Sequence, residues 1–554
     1  MREIDRLTVE QYATPSLLLM EAAAAATLRA ISETFSEDVQ GKKARILCGR
    51  GNNGGDGAAL ARSLAHAGVH AEVVLFGRIE DTTGDARTNF EAVRRLASFE
   101  AGSSSRPSSL AFIECNSISQ WEDLASPRRT YDILVDALFG TGLVRPLEGI
   151  YLQVIEHLAL TRRARERAAG ARPLIVSIDI PSGLNADSAE LIGPAIEADV
   201  TVTFTAPKPA SVLPPAYHHS GKLVIANIGS PAVLLAGVGS RLFMVEEEDA
   251  RAWLVRTRYT SESYKNSHGH VLVIGGSRDY SGAAALCANA AIRSGAGLVT
   301  VATPASAQSS VASRAMPEVM TTALAETDRG AVSDEAIEHV LQLARKASVI
   351  AIGPGLGAED ERTRRFVRSI VERRTTPVVV DADGLNCLAP WPKALHGSAA
   401  APLILTPHAG EMRRLIGSND YAKVVDRVSA AREFATTHEV ILLLKGSRSL
   451  IAAPDGLVFI NPTGNPGLGT AGAGDTLTGL TAGFIAQAIG VSSSSQLSVV
   501  IDSVIAALYV GGLAGDLAAR ELGMRTMVAS DIREHFSAAI RSLDYEGEQP
   551  QKRS

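Results

Sequence analysis

Residues 48 to 57 read CGRGNNGGDG and directly follow the apolar run Ala44–Leu47, which has the length and composition of a short buried strand. Gly49, Gly51 and Gly54 satisfy the spacing of a dinucleotide loop. Glu72, eighteen positions past Gly54 on the next apolar run HAEVVLF, stands where such folds keep an acid for a ribose. The extra residues do not fit a plain pyrophosphate cradle. Such a loop has no need of Asn52, Asn53 and Asp56 among its glycines, and an aspartate repels a phosphate. The stretch thus predicts a strand, a tight turn and a helix, and leaves open what the turn holds.

Outward from it, short Val/Ile/Leu-rich runs alternate with helical patterns: ARILC, HAEVVLF, LAFIEC, YDILVD, PLIVSID, DVTVTF and KLVIAN, ending near Asn227. That alternation predicts a parallel sheet with helices on both faces. The Ser/Arg-rich stretches around 102–109 and 161–172 read as surface insertions. Between Gly229 and Ser263 the rhythm fails, and a second series begins with HVLVIGG at 270 and continues through ASVIAIGPG, PVVVDADG, PLILTP, VILLLKG and SLIAAP. A chain of 554 residues is too long for one core. We therefore expect two α/β domains, 1–240 and 250–545, with no internal repeat linking the two series.

The 54 basic and 60 acidic residues leave a net charge of −6, with no basic block long enough to follow a nucleic-acid backbone. Cys48, Cys115, Cys287 and Cys387 stand alone, which reads as reduced thiols. The N-terminus MREIDRLTVEQYATPSLLLMEAAAAA is no signal peptide, and no apolar run reaches 18 residues. The expectation is a cytoplasmic protein that binds neither nucleic acid nor membrane, and a homo-oligomer.

In open parallel sheets ligands lie beyond the carboxyl ends of the strands. The ends of the first series supply GNNGGDG (51–57), DALFGTGL (136–143) and DIPSGL (179–184). Asn53, Asp136 and Ser182 offer oxygens to a hard cation, the GTGL amides can face a phosphate, and Asp179 beside a proline-fixed turn suits proton transfer. Any one of these aspartates could merely cap a turn; three such ends in one domain make that the weaker reading. With ADVTVTFTAPKP and KLVIANIG following in order, this half resembles the NAD(P)H-hydrate epimerase domain, a Rossmann-like three-layer sandwich. The resemblance implies that a nicotinamide nucleotide hydrated at C6 is the substrate and that its R and S epimers are interconverted with a bound potassium ion. It implies substrate contacts at Asn52, Asn53, Gly54, Gly55 and Asp56, and at Gly140, Thr141, Gly142, Leu143, Val144, Arg145 and Pro146. It further implies potassium ligands Asn53, Asp136 and Ser182, with Asp179 both catalytic and in contact with substrate. One departure stands out: the family's first helix carries an ENAG-like stretch, and here LLLMEAAAAAT at 17–27 has no asparagine at Glu21–Ala25.

In the second half, NPTGNPGLGTAGAGDTLTGLTAGFIAQ (461–487) leads a glycine-rich chain into an apolar helical pattern beginning near Ala473. Amides at that helix start can hold an anion. Asp475 could simply complement the helix dipole, but seven glycines from 464 to 483 exceed what a cap needs. With GGSRDYSGAAALCANAAIRSGAGLV (275–299), GPGLG (353–357), DADGLN (381–386), LTPHAGEMRRL (405–415) and LLKGSRSLI (443–451), this half resembles the ribokinase-like ADP- or ATP-dependent NAD(P)H-hydrate dehydratases. The resemblance implies hydrate contacts at Ala283, Gly355, His408 and Asp475, and adenine-nucleotide contacts at Lys445, Gly446, Ser447, Arg448, Ser449 and Gly474. It makes Asp475 the base toward the reacting hydroxyl, with Mg2+ accompanying the nucleotide. From residue type alone His408 could equally be a hydrogen-bonded loop histidine. The competing reading is a ribokinase-type small-molecule kinase fused to a nucleotide-binding regulatory or scaffold domain.

Overall fold

The computed structural model describes residues 1–101, 109–126, 130–167, 173–237, 239–418, 425–492 and 496–544, and divides into two compact units, 1–240 and 241–554. In the first unit the strands are β1 (Lys43–Cys48), β2 (His70–Leu75), β3 (Leu110–Glu114), β4 (Ile133–Ala137), β5 (Leu174–Ile178), β6 (Val200–Phe204) and β7 (Lys222–Ala226). They form one sheet in the order β3-β2-β1-β4-β5-β6-β7, parallel throughout. Alternate residues serve opposite faces, as the pleat requires. Ile46 and Cys48 pack with helices Ser16–Thr34 and Asn52–His66, while Leu47 packs with Trp121 and with Val154 and Leu158 of helix Gly149–Arg167. The result is three layers, with a core on each side of the sheet.

All seven strands expected from the first series are present. Of the two expected surface insertions, 102–108 and 168–172 lie outside the described residues. Thr161–Arg167 instead completes helix Gly149–Arg167, where Arg162 donates to the Glu197 carbonyl.

The second unit holds a ten-stranded sheet. Its strands are β8 (Leu242–Met244), β9 (His270–Ile274), β10 (Leu298–Pro304), β11 (Met320–Leu324), β12 (Val349–Ile352), β13 (Val378–Val380), β14 (Leu403–Leu405), β15 (Ile441–Leu444), β16 (Leu450–Ala452) and β17 (Val458–Ile460). The order is β11-β10-β9-β12-β13-β14-β15-β16-β17-β8. Its pairs are parallel except at β15–β16 and β16–β17, where a hairpin reverses the chain. One face is covered by helices Ser281–Arg293, Ala473–Ser492 and Leu497–Leu522, with Trp253 stacked on Phe484 at 3.9 Å. Leu497–Leu522 is apolar and long enough to cross a membrane, but 67% of its most apolar window is buried inside the unit, as befits a core helix.

The segment in which the sequence loses its rhythm is structured. β8 pairs with β17, Val245 is buried, and Glu246–Asp249 heads helix Glu247–Arg256, with the Asp249 carboxylate accepting from the Glu246 amide. A three-residue strand is too short to show a period, which is why the expected start at 250 lies downstream of it. A chain beginning at 250 should therefore unfold more easily than one beginning at 241. The expected loss is at least about 1.5 kcal/mol, the value of burying one valine-sized side chain, read from denaturant midpoints. Equal midpoints would mean that β8 adds nothing to the sheet.

Candidate functional sites

In the first unit the turn after β1 is three residues, Gly49, Arg50 and Gly51. Gly51 caps helix Asn52–His66, so Asn52 and Asn53 lie in its first turn. The glycines after them serve packing. A Cβ on Gly54 would sit 1.8 Å from the Gly49 carbonyl oxygen, and one on Gly55 would meet Met20 and Ala86 at 2.8 Å. Gly54 and Gly55 thus bring the helix close to β1 and its neighbours, and neither lines the cavity beyond the strand ends. Glu72 does not line that cavity: it pairs with buried Arg45 at 2.6 Å and accepts from Tyr131.

That cavity, of about 1280 Å³, is lined by Asn52, Asn53 and Asp56, by all of 140–146, and by Asp179. The expected substrate residues other than Gly54 and Gly55 therefore converge. Asp136 and Ser182 lie beneath it as a closed polar cluster. The Asp136 carboxylate is 1% exposed and accepts from the Ser182 amide at 2.8 Å, the Ser182 hydroxyl at 2.6 Å and the Ser177 hydroxyl at 2.8 Å. Burial raises its pKa, and these hydrogen bonds partly offset the rise. Asn53 is 8% exposed, and both polar atoms of its side chain lack a protein partner. An unpaired buried amide costs free energy unless something binds it.

Asp179 has φ 67°, the left-handed conformation that non-glycine residues rarely adopt, and its carboxylate meets the Lys208 ammonium at 2.5 Å. Asp56 is driven well above the ordinary carboxyl range by burial, with Asp179 and Asp5 adding to the rise. Asp5 comes from helix Arg2–Tyr12, which is tied to the 140–146 loop by a hydrogen bond from Arg2 to the Thr141 carbonyl at 2.8 Å. Burial raises the Asp5 pKa as well. Lys208 and Asp5 were not picked out from the sequence. The lysine was visible in APKP after an apolar run, whereas nothing local marks Asp5. Within the Glu21–Ala25 stretch Ala23 lines the cavity, and Glu21 pairs with Arg62.

In the second unit Asp475 opens helix Ala473–Ser492 and lines a cavity of about 950 Å³ together with Ala283, Gly355, Asp383 and Arg414. Gly355 has φ 65°, and a Cβ there would stand 2.6 Å from the Tyr280 carbonyl oxygen, so glycine is required. Lys445, at the end of β15, reaches Asp381, at the end of β13, at 2.7 Å. Asp381 also accepts from Thr478 at 2.7 Å. Burial alone would lower the Lys445 ammonium, but Asp381 and Glu411 outweigh it and hold the pKa above its ordinary value. A Cβ on Gly474 would lie 3.4 Å from that ammonium. Asp381 is the residue here that sequence reasoning did not single out, although its DADG context was visible.

Lys445 is followed by Gly446, Ser447, Arg448 and Ser449 in the turn between β15 and β16, where Ser449 closes on the Gly446 carbonyl at 2.9 Å. His408 is hydrogen-bonded to its own helix start. Its Nδ1 accepts from the Gly410 and Glu411 amides, and Glu411 reaches back to the His408 amide at 2.8 Å, capping helix Ala409–Leu415. It does not line the cavity that Asp475 shares with Ala283 and Gly355.

A doubly wound sheet with a lysine-clamped aspartate at its strand ends, joined to a sheet whose glycine-rich helix start carries another aspartate, defines a two-site α/β enzyme. Residues 16–210 match the family described as YjeF-related protein N-terminus, and 271–537 match that described as NAD(P)H-hydrate dehydratase. The chain is 38% identical over 548 residues to the bifunctional NAD(P)H-hydrate repair enzyme Nnr of Moorella thermoacetica, covering 99% of this chain and 97% of that one. It is 35% identical to the enzyme of the same name from Thermofilum pendens, covering 98% and 95%. Among solved structures, the ADP/ATP-dependent NAD(P)H-hydrate dehydratase of Bacillus subtilis, co-crystallised with ATP/Mg2+, is 28% identical with a TM-score of 0.45, covering 54% of this chain and 98% of that one. The chain belongs to the family of bifunctional NAD(P)H-hydrate repair enzymes.

Burial, with Asp381 adding to it, raises Asp475 from an ordinary 3.8 to about 7. The folded state thus keeps a proton where the unfolded chain has lost it. The stability this group contributes is full below 3.8 and is lost as pH rises through about 7. Asp475→Asn removes that loss, so its thermal midpoint should climb relative to the unaltered chain between about pH 4 and about pH 8. A difference that stays flat across that window would show that burial does not hold the proton there.

Proposed function

We propose that the first unit interconverts the R and S epimers of NAD(P)H hydrated at C6, and that the second unit dehydrates the S epimer at the expense of ADP or ATP. Membership of the family supports the pairing of activities. The observation that carries the second half is Asp475, a half-buried carboxyl raised to about 7, in the first turn of a glycine-rich helix start. A general base works best with a pKa near the working pH. Hydroxide is a poor leaving group. Asp475 would take the proton of the C6 hydroxyl as its oxygen attacks the terminal phosphoryl group. The nucleotide leaves one phosphate shorter; the ring nitrogen then pushes phosphate out by breaking the C6–O bond, and loss of the C5 proton to water from the resulting iminium gives NAD(P)H. The amides at the start of helix Ala473–Ser492 suit the phosphate, as does Lys445, whose ammonium is fixed beside Gly474. Mg2+ would enter with the nucleotide phosphates and spread their charge. The turn from Lys445 to Ser449 suits the adenine nucleotide, and Ala283 and Gly355 the hydrate.

In the first unit Asp179 would move the proton. Asn52, Asp56 and the 140–146 loop would hold the nucleotide. Potassium fits Asn53, Asp136 and Ser182 by donor chemistry: Asn53 has a buried oxygen without a partner, and Asp136 supplies a buried negative charge. When bound, the ion would supply a fixed positive charge to the site. His408, half exposed beside Glu411, suits a further contact to the hydrate. Four free, buried cysteines suit a reducing cytoplasm. Exposed Leu18, Leu96 and Phe99, on helices Ser16–Thr34 and Gly84–Ala101, suit a homo-oligomer.

The test uses purified protein, a mixture of R and S hydrate, and each nucleotide in turn. Recovery of NAD(P)H absorbance from both epimers, with phosphate released, is expected. A stable phosphorylated product would favour a ribokinase-type kinase instead. Asp179→Asn should lower epimerisation by about 10² to 10⁴-fold and leave dehydration of pure S substrate unchanged. Asp475→Asn keeps an oxygen able to cap the helix, so nucleotide binding should survive while dehydration falls by the same about 10² to 10⁴-fold. Turnover within about tenfold of the unaltered enzyme would remove either residue from the chemistry.

A further inference from the structure

We infer that Lys208 is a positioning residue for epimerisation, its buried ammonium clamping the Asp179 carboxylate in one orientation at the mouth of the first unit's cavity. The inference rests on the reading of Asp179 as the proton-transfer group. Lys208 is 4% exposed and its ammonium has three acceptors: Asp179 Oδ1 at 2.5 Å, the Thr203 hydroxyl at 2.8 Å and the Phe204 carbonyl at 3.0 Å. An ammonium has three donors, so every one is engaged, and none is left to bind substrate directly. Two of the acceptors belong to β6 and the third follows β5, so Lys208 ties two neighbouring strand ends to the catalytic carboxylate.

The clamp has work to do. Asp179 sits in a left-handed backbone conformation, with its amide bonded to the Val202 carbonyl at 2.8 Å, an arrangement that persists only when its surroundings over-determine it. Asp56 and Asp5 also face the cavity, and proximity to Asp179 favours the protonated form of both. Without the ammonium, the carboxylate would be free to turn away from them. Lys208 leaves only the second oxygen, Oδ2, for the substrate. That oxygen lies on the side of Gly140, within 3.3 Å of where a Cβ would be on that glycine, and Asn53 Oδ1 is 3.5 Å from the same point. The unengaged oxygen therefore points toward the loop and the amide that line the cavity.

A positioning residue should act on turnover and spare binding. Lys208→Gln keeps a hydrogen-bond donor for Thr203 and Phe204 and removes the charge. Its epimerisation kcat is expected to fall about 10²-fold, the scale of a misplacement of about 1 Å, with KM within about threefold. Lys208→Met is expected to fall at least as far. Thermal unfolding of both variants shows whether the first unit remains folded. Should either variant fail to fold, Thr203→Val, which removes one acceptor and no charge, is expected to lower kcat by roughly three- to tenfold at constant KM. A loss confined to KM, or a kcat within about threefold of the unaltered enzyme in folded variants, overturns the inference. Asp179→Asn is measured alongside. If it turns over normally, the reading beneath the inference fails; if it collapses while Lys208→Gln does not, only the inference fails.

Discussion

A strand buried on both faces leaves its polar neighbours nowhere to go but its ends. In both sheets the central strands carry apolar side chains on each face, so the paired aspartates of either site lie at or just beyond a carboxyl end. Asp136 and Asp179 end β4 and β5 in the first unit; Asp381 and Lys445 end β13 and β15 in the second. The cavities form there because only there does backbone leave the ladder and turn.

That location creates an electrostatic difficulty, which the two units resolve alike. A carboxylate beside a closed apolar core loses hydration, and each unit compensates with one lysine, Lys208 buried and Lys445 largely so. The pairs differ in what they hold. Lys208 grips the aspartate read as the proton-transfer group itself. Lys445 grips Asp381, and Asp475 near them is raised toward neutrality by burial and by the Asp381 charge, with Lys445 opposing the rise. One lysine thus fixes the orientation of a charged group, and the other secures a neighbour whose charge tunes the base. A buried pair of this kind contributes little net stability, and its value here is geometric.

Much of this is legible in the chain. The apolar runs of the first series each became a strand, because short runs rich in Val, Ile and Leu and bounded by turns suit a buried strand. Four strands of the second unit were not marked. β8 and β17 are three residues long, β11 is an edge strand with exposed Met320 and half-buried threonines, and the threonines and proline of β10 dilute its apolar signal. The glycines of the 51–57 turn were visible, but their work was not. Gly54 and Gly55 are small because backbone and Met20 press on them from elsewhere in the fold, which spacing alone cannot distinguish from contact with a ligand.

By itself the sequence determined the two alternating series, the turns where chemistry could sit, and the aspartates in those turns, because each follows from residue patterns a few positions long. Which groups meet was decided by tertiary structure. Lys208 and Asp179 are 29 residues apart, and Lys445 and Asp381 are 64 apart; they touch because of strand order. β5 lies beside β6, and only β14 separates β13 from β15. Asp5 reaches the cavity only because its helix folds back onto the 140–146 loop, and His408 became a helix cap because Glu411 completes the box. Sheet order and helix docking are set by the burial of whole apolar faces, and no local stretch encodes which neighbour that burial will bring.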